Sequence, residues 1–258
     1  MAVNIKTPEQ IEGIRRSCRL AAATLDHIEP YVKAGVHTAM LDHKIQQFMA
    51  KNGAQPATLN YRGYPKSCCI SLNDVVCHGI PSKKTVLKEG DILNIDVTTI
   101  LEGYFGDTSR MFTVGAVSEE ARKLMEVTRE CLEIGIDQCK PGNMTGQIGH
   151  AIGKHARAAG YGVVYEFCGH GVGLAFHEDP EINHSEKADQ GVVMKPGMIF
   201  TIEPMINQGK ARTKTDKRDG WTARTIDRKL SAQYEHTILI TETGREVLTD
   251  NKNAYAIT

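Results

Sequence analysis

The chain has 258 residues, 41% of them hydrophobic and 24% charged, and its 31 Lys plus Arg balance 31 Asp plus Glu. That balance argues against DNA or RNA as the main ligand, a role that usually leaves a basic excess, and the length allows a sizeable core in one large domain or two small ones. No window approaches the roughly eighteen apolar residues of a membrane span, MAVNIKTPEQIEGIRRS lacks the apolar run of a signal peptide, and seven cysteines without a CxxC pair fit a reducing cytosol better than a disulfide framework or structural zinc.

TPEQIEGIRRSCRLAAATL predicts the first helix, with Thr7 as its cap, Pro8 at the first helical position and Gln10 closing a capping box. Ile11, Ile14, Cys18 and Leu25 then share one face. KAGVHTAMLDHKI opens a second helix, capped by Thr38 and stopping at Gly53. DILNIDVTTI and YFGDTSRMFTV, joined at Glu102–Gly103, predict a β-hairpin. SEEARKLMEVTRECLEIGIDQC supplies a third helix, and KPGNMTGQIGHAI a fourth, capped by Thr145 and stopping at Gly160. MIFTIEPMI and YEHTILIT are further strands, separated by a longer insertion.

Sliding the chain against itself by 107 positions lays KAGVHTAMLDHKI (33–45) on KPGNMTGQIGHAI (140–152) and KEGDILNID (88–96) on KPGMIFTIE (195–203). Two windows with one offset indicate a duplicated unit, its period too long for a solenoid repeat. The predicted architecture is a single α+β domain over 1–258, with pseudo-two-fold halves of about 1–110 and 111–258. A curved antiparallel sheet lies inside, helices lie outside, and both halves share one core.

The repeat also gathers acids. Asp96 and Asp107 lie five and six residues either side of Leu101, so pairing about that point puts them roughly opposite, with Cβ atoms about 5 Å apart. Glu203 takes the place of Asp96 in the second half, and Glu235 that of Asp107. ILNID and IFTIE are apolar right up to the acid, which predicts buried carboxylates and not a solvated face. Four of them call for about two divalent cations, and oxygen-rich ligation with one imidazole suits Mn, Fe, Co or Zn. FCGHGVGLAFHEDP (167–180) offers His170 and His177 among glycines that let backbone or ligand come close. HGIP (78–81) and HEDP (177–180) share His-x-x-Pro ahead of their acidic strands. His78 and His177 thus pair by symmetry, leaving His170 the better ligand candidate. The histidines at 27, 37, 43, 150, 155 and 184 are read as structural.

The series His78, Asp96, Asp107, His170, His177, Glu203, Glu235, set in VVCHGIP, NIDVT, GDTSRMF, CGHGVG, FHEDP, TIEPM and QYEHT, resembles the type I methionine aminopeptidases over about residues 5–250. The resemblance implies the pita-bread fold and removal of an initiator methionine before a small second residue. It implies two metals held by Asp96, Asp107, His170, Glu203 and Glu235, with Asp107 and Glu235 bridging. It makes Glu203 the proton acceptor from the attacking water, His177 the donor that stabilises the tetrahedral intermediate, and His78 a contact of the scissile peptide. The methionine pocket draws on Tyr61, Tyr64, Cys69, Phe176 and Trp221. Thr58 stands where many bacterial members carry cysteine and Arg62 where many carry histidine, both at the pocket rim, where they bear on inhibitor sensitivity and fine specificity.

Three other readings compete. Non-catalytic pita-bread proteins usually lack metal ligands, whereas this chain keeps all five. Proline-specific peptidases typically carry an extra N-terminal domain, for which a first helix beginning at Thr7 leaves no room. Ligand chemistry alone leaves a dimetal phosphoesterase open. The implied partners are nascent polypeptide N-termini, met by a cytoplasmic monomer. KARTKTDKRDGWTARTIDRK (210–229) sets eight Lys or Arg against three Asp, a local +5, and is either a ribosomal RNA contact or a solvated edge.

Overall fold

The computed structural model describes residues 3–185 and 187–250. Helix α1 (Pro8–Ile28) begins with the expected capping box: the Thr7 hydroxyl accepts the Gln10 N–H at 3.3 Å, and the Gln10 side chain accepts the Thr7 N–H at 2.9 Å. Its Ile14, Cys18 and Leu25 are buried. Helix α2 (Thr38–Lys51) departs from expectation. His37 is its cap, Nδ1 accepting the Met40 N–H at 3.1 Å. The Thr38 hydroxyl instead accepts the Ser82 N–H at 2.8 Å, tying the helix to the loop before the hairpin. Helices α3 (Glu119–Asp137) and α4 (Gly146–Ala158) follow in the second half. Thr145 does stand at the cap position of α4, but its hydroxyl accepts the Val192 N–H and makes no bond to the helix. Gly53 and Gly160 close α2 and α4 in the left-handed conformation that glycine adopts without penalty.

In chain order the strands are β1 (Gln55–Pro56), β2 (Cys69–Leu72), β3 (Val75–Cys77), β4 (Ile92–Leu101), β5 (Tyr104–Thr113), β6 (Gly162–Val163), β7 (Gly169–Gly171) and β8 (Glu178–Ile182). They continue with β9 (Ile199–Ile202), β10 (Met205–Asn207), β11 (Thr213–Thr215), β12 (Ala223–Thr225), β13 (Ser231–Gln233), β14 (His236–Ile240) and β15 (Arg245–Val247). In the first half β4 carries β5 on one edge and β1 and β2 on the other. In the second half the order is β15-β14-β9-β7-β8, all antiparallel. The hairpin and the β9–β14 pair are the duplicated strands, and a backbone bridge between Ser109 and Glu235 joins the two sheets.

The hairpin register corrects one expectation. Glu102 and Gly103 both have positive φ, 53° and 85°, and form a two-residue turn whose twist matches the flanking strands. Pairing therefore centres between those two residues and not on Leu101. Asp96 faces Ser109 and Asp107 faces Thr98, so the two acids are diagonal neighbours on one face.

Buried apolar side chains gather into two large clusters where one shared core was expected. One joins α1 and α2 to the first hairpin through residues such as Leu25, Leu41, Ile45 and Ile95. The other joins α3 and α4 to the second-half strands through Leu124, Ile148, Phe200 and Ile238. A smaller cluster sets Ile14 and Cys18 of α1 against Val172, Ile199 and Leu239, locking the halves together. Among the described residues no helix is long and apolar enough to cross a membrane.

Candidate active site

Alternation along β4 and β5 turns Asp96 and Asp107 to the same side, where Glu235 meets them from the residue before β14. Ligand oxygens of these three carboxylates all lie within 4.8 Å of one another. The Glu235 backbone is held from both ends. Its N–H donates to the Ser109 carbonyl, and its carbonyl accepts the Thr108 hydroxyl at 2.8 Å. The Asp107 carboxylate accepts the Thr98 hydroxyl at 2.8 Å.

Among the described residues no lysine or arginine pairs with Asp96, Asp107, Glu203 or Glu235. Burial pushes all four carboxyls above the usual range, and for Asp107, Glu203 and Glu235 neighbouring carboxylates push further the same way. Side chains so placed are stable only when protonated or gathered around a cation. Hard oxygen donors this close suit divalent metal ions, and the residues present fit that role.

The histidine-bearing stretch completes the cluster. The imidazole Nδ1 of His170 lies 3.0 Å from the Gly171 carbonyl, which can only accept, so Nδ1 carries the proton and Nε2 offers its lone pair. That Nε2 sits 3.7 Å from Asp107 and 3.6 Å from Glu203. The glycines on either side are required by packing. A Cβ on Gly169 would lie 2.4 Å from the Thr201 carbonyl oxygen, and one on Gly171 would lie 2.3 Å from that of Asp179. Strand β7 can therefore bring His170 between β8 and β9 only with glycine at both positions. Glu203 is fixed by two side chains, accepting from the Thr201 hydroxyl at 2.8 Å and from the Gln233 amide at 3.2 Å.

His177 stands outside this cluster. Its ring centroid is 4.0 Å from that of His170 and stacks on Tyr61 at 5.1 Å, and burial holds its pKa down at about 3. It is a neutral imidazole beside the acids with no carboxylate partner among the described residues. His78 has a left-handed backbone, φ 56°, a costly conformation for a residue with a Cβ. Its ring meets Trp221 and Phe167 edge to face at 5.7 and 5.3 Å, and burial lowers its pKa to about 4. Tyr61, Tyr64, Cys69, Phe176 and Trp221 all line the same cavity of about 650 Å³ as the acids and histidines. Tyr61 packs on Phe176 at 4.7 Å, and Tyr64 meets Trp221 edge to face at 5.2 Å. Thr58 and Arg62 are at this cavity too.

All twelve candidate residues thus converge. Sequence reasoning overlooks several that support them. Asn94, Thr98, Thr201 and Gln233 each lie two positions from one of the four acids, so strand alternation already puts them on its face. Asn94 donates to the Ser109 hydroxyl at 3.0 Å and the Gln233 carbonyl at 2.8 Å, bracing one half against the other. His184, read as structural, is fully buried, and its Nε2 accepts the Glu203 N–H at 3.1 Å. Nothing in its spacing signals that contact.

The sequence pattern of metallopeptidase family M24 matches residues 12–242. The methionine aminopeptidase of Escherichia coli (strain K12) is 52% identical over 254 residues, which is 98% of this chain and 96% of that one. The crystal structure of methionine aminopeptidase from Rickettsia prowazekii superposes with a TM-score of 0.95 at 46% identity, over 96% of this chain and 100% of that one. Prolidase from Pyrococcus furiosus shares the fold at a TM-score of 0.79 and 26% identity, but the match covers only 66% of its length against 96% of this chain.

Proposed function

The chain belongs to metallopeptidase family M24, as one of its methionine aminopeptidases with the pita-bread fold, and from that premise we propose how its residues divide the work of removing an N-terminal methionine. Asp96, Asp107, His170, Glu203 and Glu235 would hold two divalent ions, drawn from Co, Mn, Fe and Zn. The observation that carries this assignment is the meeting of three carboxylates within 4.8 Å, with a lone-pair nitrogen of His170 3.7 Å from one of them. When bound, the ions supply Lewis acidity and bring the pKa of water towards neutrality.

The chain's own groups handle position and protons. Glu203, oriented by Thr201 and Gln233, accepts a proton from the attacking water and passes it to the departing amine. Neutral His177 donates a hydrogen bond to the oxygen on which negative charge develops, a role worth about 3–4 kcal/mol in comparable sites. His78, held rigid by Trp221 and Phe167, contacts the scissile peptide. The methionine side chain enters the slot of Tyr61, Tyr64, Cys69, Phe176 and Trp221, whose aromatic and sulfur surface suits a polarisable thioether. Crowding beyond the scissile bond then admits only a small second residue.

Cleavage of Met-Ala-Ser but not Met-Arg-Ser by metal-loaded enzyme tests this reading. Equal turnover of both peptides, or hydrolysis of a phosphate ester in their place, would overturn it.

The substrates are nascent chains in the cytoplasm, met by a monomer, and the free, mostly buried cysteines support a reducing compartment. Ribosomal RNA is the docking partner of the 210–229 edge. Within the segment Arg218 bonds Asp216 at 2.7 Å, a pair already counted in the local +5, and Asp74 from outside it bonds both Arg224 and Arg228 at 2.7 and 2.9 Å and offsets one further charge. Lys210, Arg212, Lys214, Lys217 and Lys229 remain exposed for phosphate. Changing Lys210, Lys214 and Lys217 to glutamate should abolish co-sedimentation with ribosomes while a free tripeptide is still cut. Unchanged co-sedimentation would reduce the edge to a solvated face.

A further inference from the structure

The rim of the cavity carries a guanidinium with no acid of its own. Arg62 is exposed, lines the cavity, and forms no ion pair among the described residues. Its recorded contact is with a ring, the guanidinium carbon standing 5.3 Å from the centre of Tyr61. Its backbone is strained in the left-handed region, φ 47° and ψ 32°, between Asn60 at φ 67° and Gly63 at φ 85°. A residue with a Cβ rarely occupies that region unless something repays it, and such outliers concentrate at functional sites. The tight turn sets Tyr61 against His177 and stands Arg62 one ring further out.

The ring contacts give the distance scale. His170 to His177 is 4.0 Å, His177 to Tyr61 is 5.1 Å, and Tyr61 to the Arg62 guanidinium is 5.3 Å. An extended peptide advances about 3.3 Å per residue. With the scissile bond at His177, the guanidinium is reached by the third or fourth substrate residue. Asp179 and Glu181 also line the cavity, from β8, and neither pairs with Arg62.

We propose that Arg62 is a specificity-determining residue that favours substrates with a carboxylate on the third or fourth residue and disfavours a lysine there. The proposal rests on the methionine-removal reading of the cavity. An exposed charge pair supports a preference of about two- to fivefold, and salt should screen it.

The test uses the metal-loaded enzyme and amidated tetrapeptides, so that no terminal carboxylate interferes: Met-Ala-Asp-Ser against Met-Ala-Lys-Ser, and Met-Ala-Ser-Asp against Met-Ala-Ser-Lys. Each pair competes in one tube, and the ratio of kcat/KM is read within each variant, so any general loss of activity cancels. The parent should prefer the acid two- to fivefold in at least one pair at low salt, with the ratio falling towards one at about 0.5 M salt. Arg62→Lys should retain the preference. Arg62→Gln should lose it, and Arg62→Glu should favour lysine, helped by Asp179 and Glu181. No preference in the parent, or one that survives Arg62→Gln, would overturn the proposal. If none of the four peptides is cut, the functional reading fails, and equilibrium binding of the same pairs still decides the role of Arg62.

Discussion

Replacing Asp107 by asparagine should make the metal-free protein more stable while destroying its capacity to hold divalent ions. The two side chains have one shape, and an amide oxygen can still accept the Thr98 hydroxyl, bonded to Asp107 at 2.8 Å. What changes is charge. With ligand oxygens no more than 4.8 Å apart, one pair of like charges costs at least about 3.5 kcal/mol at an effective dielectric constant of about 20. The native protein relieves part of that by keeping carboxyls protonated, which is why their pKa values are raised. The expected net gain is therefore about 1–3 kcal/mol near pH 7, or roughly 3–9 °C in Tm. The pH dependence has a definite sign. A carboxyl whose folded pKa exceeds its unfolded value of about 4 leaves stability intact below that value and removes it as pH rises towards the folded pKa. In metal-free protein the stability of Asp107→Asn relative to the parent should thus grow from pH 5 to pH 8, a difference in which the buried histidines, whose lowered pKa values act with the opposite sign, cancel. Adding metal should invert the ranking, since a site filled at about a thousand times its Kd gains about 4.1 kcal/mol and the variant gains nothing. Thermal unfolding with chelator and with Mn or Co from pH 5 to 8, paired with metal analysis, checks each step. A chelated variant less stable than the chelated parent at pH 8, or equal metal loading in the two, would refute the reasoning.

His177→Ala should leave metal content near normal and lower kcat by about 10²–10³-fold, the loss expected for one donor to a developing oxyanion; if metal is lost instead, His170 and His177 have each other's roles. Gly171→Ala forces a Cβ to 2.3 Å from the Asp179 carbonyl oxygen and should cost at least about 1–3 kcal/mol of stability, with weaker metal binding because the Gly171 carbonyl orients His170; an unchanged Tm would show that β7 and β8 are not so tightly apposed. Thr58→Val should be neutral or stabilising by up to about 1 kcal/mol, because the Thr58 hydroxyl is buried without a hydrogen-bond partner among the described residues. A loss of stability in denaturant unfolding would reveal a partner for that hydroxyl.

What the sequence makes legible here is what local chemistry decides. The capping box of α1, the apolar face behind it and the glycines closing α2 and α4 follow from residues within a few positions of one another. Asp96 and Glu203 are legible because the repeat carries them at one offset, whereas Asp107 and Glu235, and His78 and His177, show only as matching motifs beside those strands, and His170 has no counterpart in the first half. Long-range partners are another matter. Asp74 bonds both Arg224 and Arg228 from 150 and 154 positions away and offsets one of their two charges, so the basic edge looks more charged in sequence than it is in space. His184 reaches the Glu203 amide through a turn 19 residues upstream, with no periodicity to announce it. Thr38 and Thr145 carry the right side chain for a cap, yet each hydroxyl serves a distant loop amide, Ser82 or Val192.

The two acid pairs show where duplication stops being a guide. In the first half a continuous hairpin of ten paired positions runs through both acids, and its two-residue turn sets them diagonally across the sheet. In the second half the β9–β14 ladder ends at Ile202 and His236, one residue short of Glu203 and Glu235. The 210–229 segment lies in the connection between them, so no tight turn governs their register. Glu203 instead takes its direction from Thr201, Gln233 and His184. Asp107 and Glu235 are almost wholly buried, whereas Asp96 and Glu203 keep partial access to the cavity. The order of the acids repeats along the chain, but their geometry does not. That asymmetry leaves Glu203 free of the ladder and 3.6 Å from the His170 Nε2, a placement that suits the proton acceptor proposed above.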